Sequence, residues 1–186
     1  MPALEDLYRE IILDHYRSPR NRGELAVPPA RRVEGFNPLC GDEVVVYAEV
    51  DGDKLADIRI SGQGCSISQS SASLMSTAVK GLPLGEVREV IRTFKSMMSL
   101  HEAAIDEHGD HGGEDGGEDG EHASGTSGDS SGEGGPGEEP VDLEKLGELA
   151  ALQGVVKFPV RIKCATLAWN TLVQAIDEAE SSSGEE

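Results

Sequence analysis

Residues 101 to 140 hold thirteen Asp and Glu, twelve Gly and no Lys or Arg. A stretch so poor in apolar side chains cannot bury enough surface to offset its ordering entropy, and it is predicted to be disordered. That prediction constrains the rest of the chain, because it splits the apolar patterning into two blocks. Any folded domain must then be discontinuous in sequence, built from residues 1–99 together with 141–180, with 181–186 a disordered tail. Such an insert is cheap to carry: lengthening a ten-residue loop fourfold costs only about 1.2 kcal/mol of closure entropy. The insert also explains the charge. The 186 residues carry a formal −19, and the thirteen insert carboxylates leave an ordinary −6 for the remainder.

The acidic balance argues against nucleic acid or an anionic membrane surface as a partner. No apolar run approaches the ~18 residues of a membrane span. The N-terminus, MPALEDLYREII, is charged and amphipathic and lacks the basic-then-apolar order of a secretory signal. Three cysteines, an odd number, at positions 40, 65 and 164 argue against a disulfide framework. They favour reduced thiols and a cytoplasmic location.

Periodicity predicts a helix over 4–16, with Leu4, Leu7, Tyr8, Ile11, Ile12 and His15 on one face. Ser18-Pro19 ends it, and SPRNRG reads as an exposed basic loop. Valine-rich 43–50 and residues 54–61 flank Asp51-Gly52-Asp53, a hairpin signal, and a short strand near 33–37 can pair alongside. Helices are expected over about 65–80 and 85–98, the second with a stripe of Val87, Val90, Ile91, Phe94, Met97 and Met98. A short helix near Leu143–Ala150 and a last one over about 164–179, with Ala165, Ala168, Trp169, Leu172, Val173 and Ile176 inward, complete the list. The fold class is α+β, a small antiparallel sheet of about three strands packed against about five helices.

The cysteines sit at telling places. Cys40 lies in the glycine-containing loop NPLCGD, and Asp42 follows two residues later. Cys65 and Cys164 are each expected to open a helix, where partial positive charge lowers a thiol's pKa. Three sulfurs and a carboxylate make a four-donor set of the kind zinc takes. Spacing alone leaves two readings open: a metal site on Cys40, Asp42, Cys65 and Cys164, or small thiols filling apolar space. Arg161 and Lys163 are candidates to offset the negative charge of such a site. The competing reading makes 160–163 a strand, with Val160 and Ile162 inward and the cations solvated.

Four separated blocks, LYREIILDHYRSPRNRG, NPLCGDEV, GQGCSISQSSASLM and GVVKFPVRIKCATLAWNTL, resemble the SufU family within the IscU/NifU-like iron–sulfur assembly proteins. The resemblance implies a SufU/IscU-like fold and a zinc-dependent sulfur acceptor. Such a protein takes persulfide sulfur from a pyridoxal-phosphate-dependent cysteine desulfurase of the SufS type, with downstream Suf scaffold proteins as further partners. It implies Cys40, Asp42, Cys65 and Cys164 as metal ligands, Cys40 as the acceptor and Arg161 in support of the site. The alternative it carries is a scaffold on which iron, as a [2Fe–2S] cluster, is assembled on the same residues.

Two departures bear on that alternative. Lys163 stands where the scaffolds of the group carry histidine, and a lysine amine is protonated at neutral pH. FPVRIK replaces the Leu-Pro-Pro-Val-Lys stretch that those scaffolds show to an Hsp70-type chaperone. The insert also holds His101, His108, His111 and His122, which with neighbouring carboxylates could bind zinc or nickel weakly, but which are read in preference as chance members of a solvated spacer.

Overall fold

A computed structural model describes residues 2–106 and 143–183. The insert beyond Asp106 and the last three residues of the tail lie outside the described residues, and with them the disorder expected for both. Helix α1 (Pro2–Arg17) is followed by strands β1 (Arg31–Asn37), β2 (Asp42–Asp51) and β3 (Lys54–Gln63). Then come α2 (Ser66–Val79), α3 (Leu84–Asp106), α4 (Leu143–Leu146), a 3₁₀ segment (Gly147–Lys157) and α5 (Pro159–Ser183). The α+β class is as expected: one antiparallel sheet in the order β1-β2-β3, with the helices packed against it.

Both hairpins follow from their turns. Asp51 pairs with Lys54 across Gly52-Asp53, and Gly52 has φ +61°, the left-handed conformation that tight hairpin turns need. Asn37 pairs with Asp42, so Pro38, Leu39, Cys40 and Gly41 form the tip of the β1–β2 hairpin. In β1 the odd-numbered residues face inward, toward α5, whereas Arg32, Glu34 and Phe36 point out. Gly35 is where α5 comes closest: a Cβ there would lie 2.1 Å from Thr171 Oγ1.

The core lies between the sheet and α2, α3 and α5. Phe94 stacks on Trp169 with ring centroids 4.1 Å apart. The α3 and α5 stripes expected from periodicity are buried there, Val90 and Val173 only partly. Helix α2 is unusual in burying serines, and each finds a partner. Ser71 accepts from Trp169 Nε1 at 3.0 Å and donates to the Ala165 carbonyl at 2.6 Å. Ser73 accepts from the Arg20 amide, and His15 Nδ1 lies 2.8 Å from its hydroxyl.

Several boundaries differ from expectation. Helix α3 continues through His101 to Asp106, six residues into the segment expected to be disordered, and α5 runs to Ser183, past the expected domain end. Leu4 and Leu7 are half exposed, Tyr8, Ile11 and Ile12 are partly buried, and only His15 of the expected α1 stripe is buried. The SPRNRG loop does not stand free: Gly23 N donates to Ile60 O, Ile60 N donates to Asn21 O, and Asn21 Nδ2 donates to Ser76 Oγ. The loop thereby covers part of the open edge of β3.

Residues 160–163 are helical and not a strand, because Pro159 opens α5. Proline suits a first helical position, where its missing N–H would have no partner anyway. Cys164 therefore sits in the second turn of α5, not at its start.

Candidate metal centre

Sheet register brings the site together. Asn37 faces Asp42, and Glu43 faces Gln63, so the tip holding Cys40 and the exit of β3 toward Cys65 lie at the same end of the sheet. Helix α5 crosses that end with Cys164 fully buried. One ligand atom each from Cys40, Asp42 and Cys164 lie within 4.8 Å of one another, the one such His/Cys/Asp/Glu group among the described residues. The two sulfurs are 3.3 Å apart.

Cys65 stands outside that trio but is joined to it through Asp42. Its amide donates to Asp42 Oδ1 at 2.8 Å, and its thiol lies 3.9 Å from Oδ2. As expected it opens a helix, serving as the N-cap of α2, where its sulfur accepts from the Ser68 amide. Two glycines permit this closeness. At Gly62, φ +117°, a Cβ would lie 2.1 Å from the Glu43 carbonyl oxygen. At Gly64 it would lie 2.5 Å from Asp42 Oδ1 and 2.6 Å from Ser68 Oγ.

The electrostatics are those of an anion-bearing pocket. Burial alone would raise the pKa of Asp42. The Cys65 amide, with bonds from Cys164, Ser68 and Cys65, outweighs that and holds the carboxyl below its usual range. Burial pushes the Cys164 thiol up, and hydrogen bonds to Asp42 and Cys40 and the charges of Cys65 and Asp42 push it further. The low thiol pKa expected for Cys164 at a helix start is thus overturned, because that start lies five residues earlier.

Arg161 is in place to offset negative charge. It precedes Cys164 by three residues, on the same helix face. Interaction with Cys65 first, and then with Cys164 and Cys40, holds its guanidinium above the ordinary value. The strand reading of its surroundings fails with the strand, whereas Lys163 is exposed on α5.

Asn37 is a site residue that sequence reasoning took for a turn former only. It is buried, accepts the Leu39 amide at 3.2 Å, and donates from Nδ2 to Cys164 Sγ at 3.6 Å. Its signal was its place at a strand end immediately before the Pro-Leu-Cys-Gly loop. Ser68, which contacts both Cys65 and Asp42, was likewise hidden in a serine-rich helix.

The donor set fits a thiophilic divalent metal: thiols and an ionised carboxylate in mutual reach, with a cation beside them. A three-stranded α+β domain with cysteines at one sheet end defines the class. The particular family follows from comparison with known proteins. The profile of the NifU-like N-terminal domain matches residues 7–111. The zinc-dependent sulfurtransferase SufU of Bacillus subtilis (strain 168) is 35% identical over 95% of this chain and 94% of its own length. The iron–sulfur cluster assembly scaffold protein IscU of Streptococcus pyogenes serotype M1 is 31% identical over 98% of this chain and 90% of its own. A crystal structure from Fervidobacterium islandicum AW-1, described as a scaffold for the SUF system, superposes with TM-score 0.66 at 26% identity, covering 90% of this chain and 94% of that one. The chain belongs to the NifU-like N-terminal domain family, and its relatives include both SufU and IscU proteins.

Among the described residues, no helix is long and apolar enough to cross a membrane.

Proposed function

We propose that this chain is a zinc-dependent sulfur acceptor that takes persulfide sulfur from a SufS-type, pyridoxal-phosphate-dependent cysteine desulfurase for iron–sulfur cluster biogenesis in the cytoplasm. The observation that carries it is the trio of Cys40, Asp42 and Cys164 donor atoms, with Cys40 alone on a hairpin tip. Cys40, Asp42, Cys65 and Cys164 would hold the metal. Bound zinc would keep the thiols deprotonated at neutral pH while leaving them nucleophilic.

The chain's own part is positional. Asn37 and Gly41 shape the tip that presents Cys40, and Cys65 and Cys164 are anchored in helices. Arg161 supplies the compensating charge. The Cys40 thiolate attacks the terminal sulfur of the donor persulfide. A new S–S bond forms on Cys40 as the donor's S–S bond breaks, and the donor cysteine leaves as thiolate with no net oxidation.

The test pairs metal analysis of protein purified without chelator with desulfurase assays on wild type and Cys40→Ala. One zinc per chain and loss of stimulation by the variant are expected. Unchanged stimulation by Cys40→Ala would end the acceptor reading. The 31% identity to a scaffold supports a second reading, in which a [2Fe–2S] cluster is assembled on the same thiols. It predicts visible absorption, whereas the zinc protein is colourless.

A further inference from the structure

Hydrogen bonds divide the four ligand atoms unequally. Asp42 Oδ1 accepts the Cys65 amide at 2.8 Å, Cys65 Sγ accepts the Ser68 amide at 3.5 Å, and Cys164 Sγ accepts from Asn37 Nδ2 at 3.6 Å. Each of these three has an N–H aimed at it. Cys40 Sγ has none among the described residues, its bond being to the Cys164 sulfur at 3.3 Å. An outer bond of this kind orients a metal ligand and supports its charge, and losing one commonly costs about 10–100-fold in metal affinity or activity.

Two of the three N–H groups are backbone. The third is a side chain, and it is held from two directions. Asn37 is only 6% exposed, its backbone pairs with Asp42 across the hairpin, and its Oδ1 accepts the Leu39 amide at 3.2 Å. A backbone N–H can only donate, so that bond decides which end of the carboxamide is oxygen and turns Nδ2 toward Cys164. One side chain therefore ties the first half of the hairpin tip to the buried sulfur of α5, and Cys40 and Gly41 lie beyond the tie.

We propose that Asn37 is a positioning residue of the metal centre, holding Cys164 as a permanent ligand through its Nδ2–H···S bond while Cys40, which has no such bond, is engaged in sulfur transfer. This rests on the sulfur-acceptor reading above. A thiolate forming a bond to incoming sulfur has less charge to give a metal, so Cys40 is the ligand whose grip weakens during the reaction. The centre then depends on Asp42, Cys65 and Cys164. Asn37 has no hydrogen bond to the reacting sulfur, so it acts on retention of the metal and not on bond making.

The experiment uses the full-length, zinc-loaded chain as wild type, Asn37→Ala and Asn37→Asp. Aspartate keeps an acceptor for the Leu39 amide and removes only the N–H donor; alanine removes both. Circular dichroism confirms that each variant is folded. Cys40 is capped with iodoacetamide, the modified position is mapped by peptide mass spectrometry, and released zinc is read with a chromophoric chelator. Wild type should keep its zinc after Cys40 is capped, whereas both variants should release it about tenfold faster or more. Cobalt(II) in place of zinc gives a reading that a purely structural role would not move. The thiolate-to-cobalt charge-transfer band should shift to longer wavelength in both variants, because a sulfur without its N–H holds its electrons less tightly. Zinc release within about twofold of wild type in both variants overturns the proposal. So does an effect confined to Asn37→Ala, which would belong to the lost tip bond, and so does a wild type that loses its zinc as Cys40 is capped. A wild type that keeps its zinc in this way but gains no persulfide on Cys40 from a cysteine desulfurase would instead sink the acceptor reading and leave the positioning role in the metal centre standing.

Discussion

Gly64→Ala tests whether the bond between Asp42 and Cys65 organises the site. The Gly64 backbone is of ordinary hand, so alanine adds no dihedral strain and acts only through its methyl group. That methyl would start 2.5 Å from Asp42 Oδ1 and 2.6 Å from Ser68 Oγ, against the 3.4 Å at which ordinary contact begins. Ser68 can rotate its hydroxyl away. Asp42 is fully buried and must retreat by about 0.9 Å, the gap between 2.5 Å and 3.4 Å. If it retreats away from Cys65, the 2.8 Å bond from the Cys65 amide opens beyond hydrogen-bond range. A lost bond to a charged acceptor costs about 1.5–3 kcal/mol, and overpacking of this size costs about 1–3 kcal/mol. The expected destabilisation is about 3 kcal/mol, large against a total of about 5–15 kcal/mol yet short of unfolding. Urea melts of the metal-free protein read the stability, and competition with a chromophoric chelator reads zinc affinity. Both should fall together. Gly41→Ala is the control, because its Cβ meets nothing within 4 Å and only its φ of +67° is strained. Stability within about 0.5 kcal/mol and unchanged zinc affinity for Gly64→Ala would refute the reasoning.

Three further outcomes follow from named contacts. Ser71→Ala leaves Trp169 Nε1, fully buried, without its acceptor, and should cost about 1–3 kcal/mol in melts followed by the fluorescence of the single tryptophan. Zinc supplied at about a hundred times its Kd should add about 2.7 kcal/mol to the wild type by mass action and little to Asp42→Ala, read as a shift in thermal midpoint. His15 is held below its ordinary pKa of 6.5 chiefly by burial and then by Arg20, with Glu148 and Asp14 opposing. The unfolded chain therefore binds a proton below pH 6.5 that the folded chain refuses until lower pH. Stability from this residue is complete above pH 6.5 and declines as pH falls from there, at up to about 1.4 kcal/mol per pH unit. His15→Gln should flatten that part of the stability–pH curve, measured by urea melts between pH 7.5 and 5; an unchanged slope would rule the histidine out.

Much of the fold was legible because its signals are local. Gly52 announced the β2–β3 turn, and the stripes through Phe94 and Trp169 repeat at the helical period. The beginning of α5 was not legible, since VVKFPVRIK alternates like a strand. Pro159 and the burial of Ile162, Cys164 and Ala165 against the core decide for helix, and burial is a tertiary fact. The serines of α2 mislead in the opposite sense. A run of hydroxyls suggests an exposed face, but Ser71, Ser73 and Ser76 have partners on other elements, and distant partners leave no trace in local sequence. At the site, residue types pointed to the donors, whereas the supporting roles of Asn37 and Ser68 depend on contacts 127 and 26 residues away along the chain.

The three thiols are unequal in mechanical freedom, and under the proposed function that inequality bears on which one would carry sulfur. Cys164 is fully buried in the second turn of a 25-residue helix whose inner face is packed against the sheet, so moving its sulfur means moving α5. Cys65 caps α2, held by its amide on Asp42 and by the Ser68 amide on its sulfur, so moving it uncaps a helix. Cys40 is carried by a four-residue hairpin tip. A Cβ at the adjacent Gly41 would meet nothing within 4 Å, so there is open space beside it. A persulfide is longer than a thiol by one S–S bond and must swing to reach its next acceptor. Only the tip can supply that movement without breaking a helix, so assigning the acceptor role to Cys40 needs no property of its thiol that the other two lack.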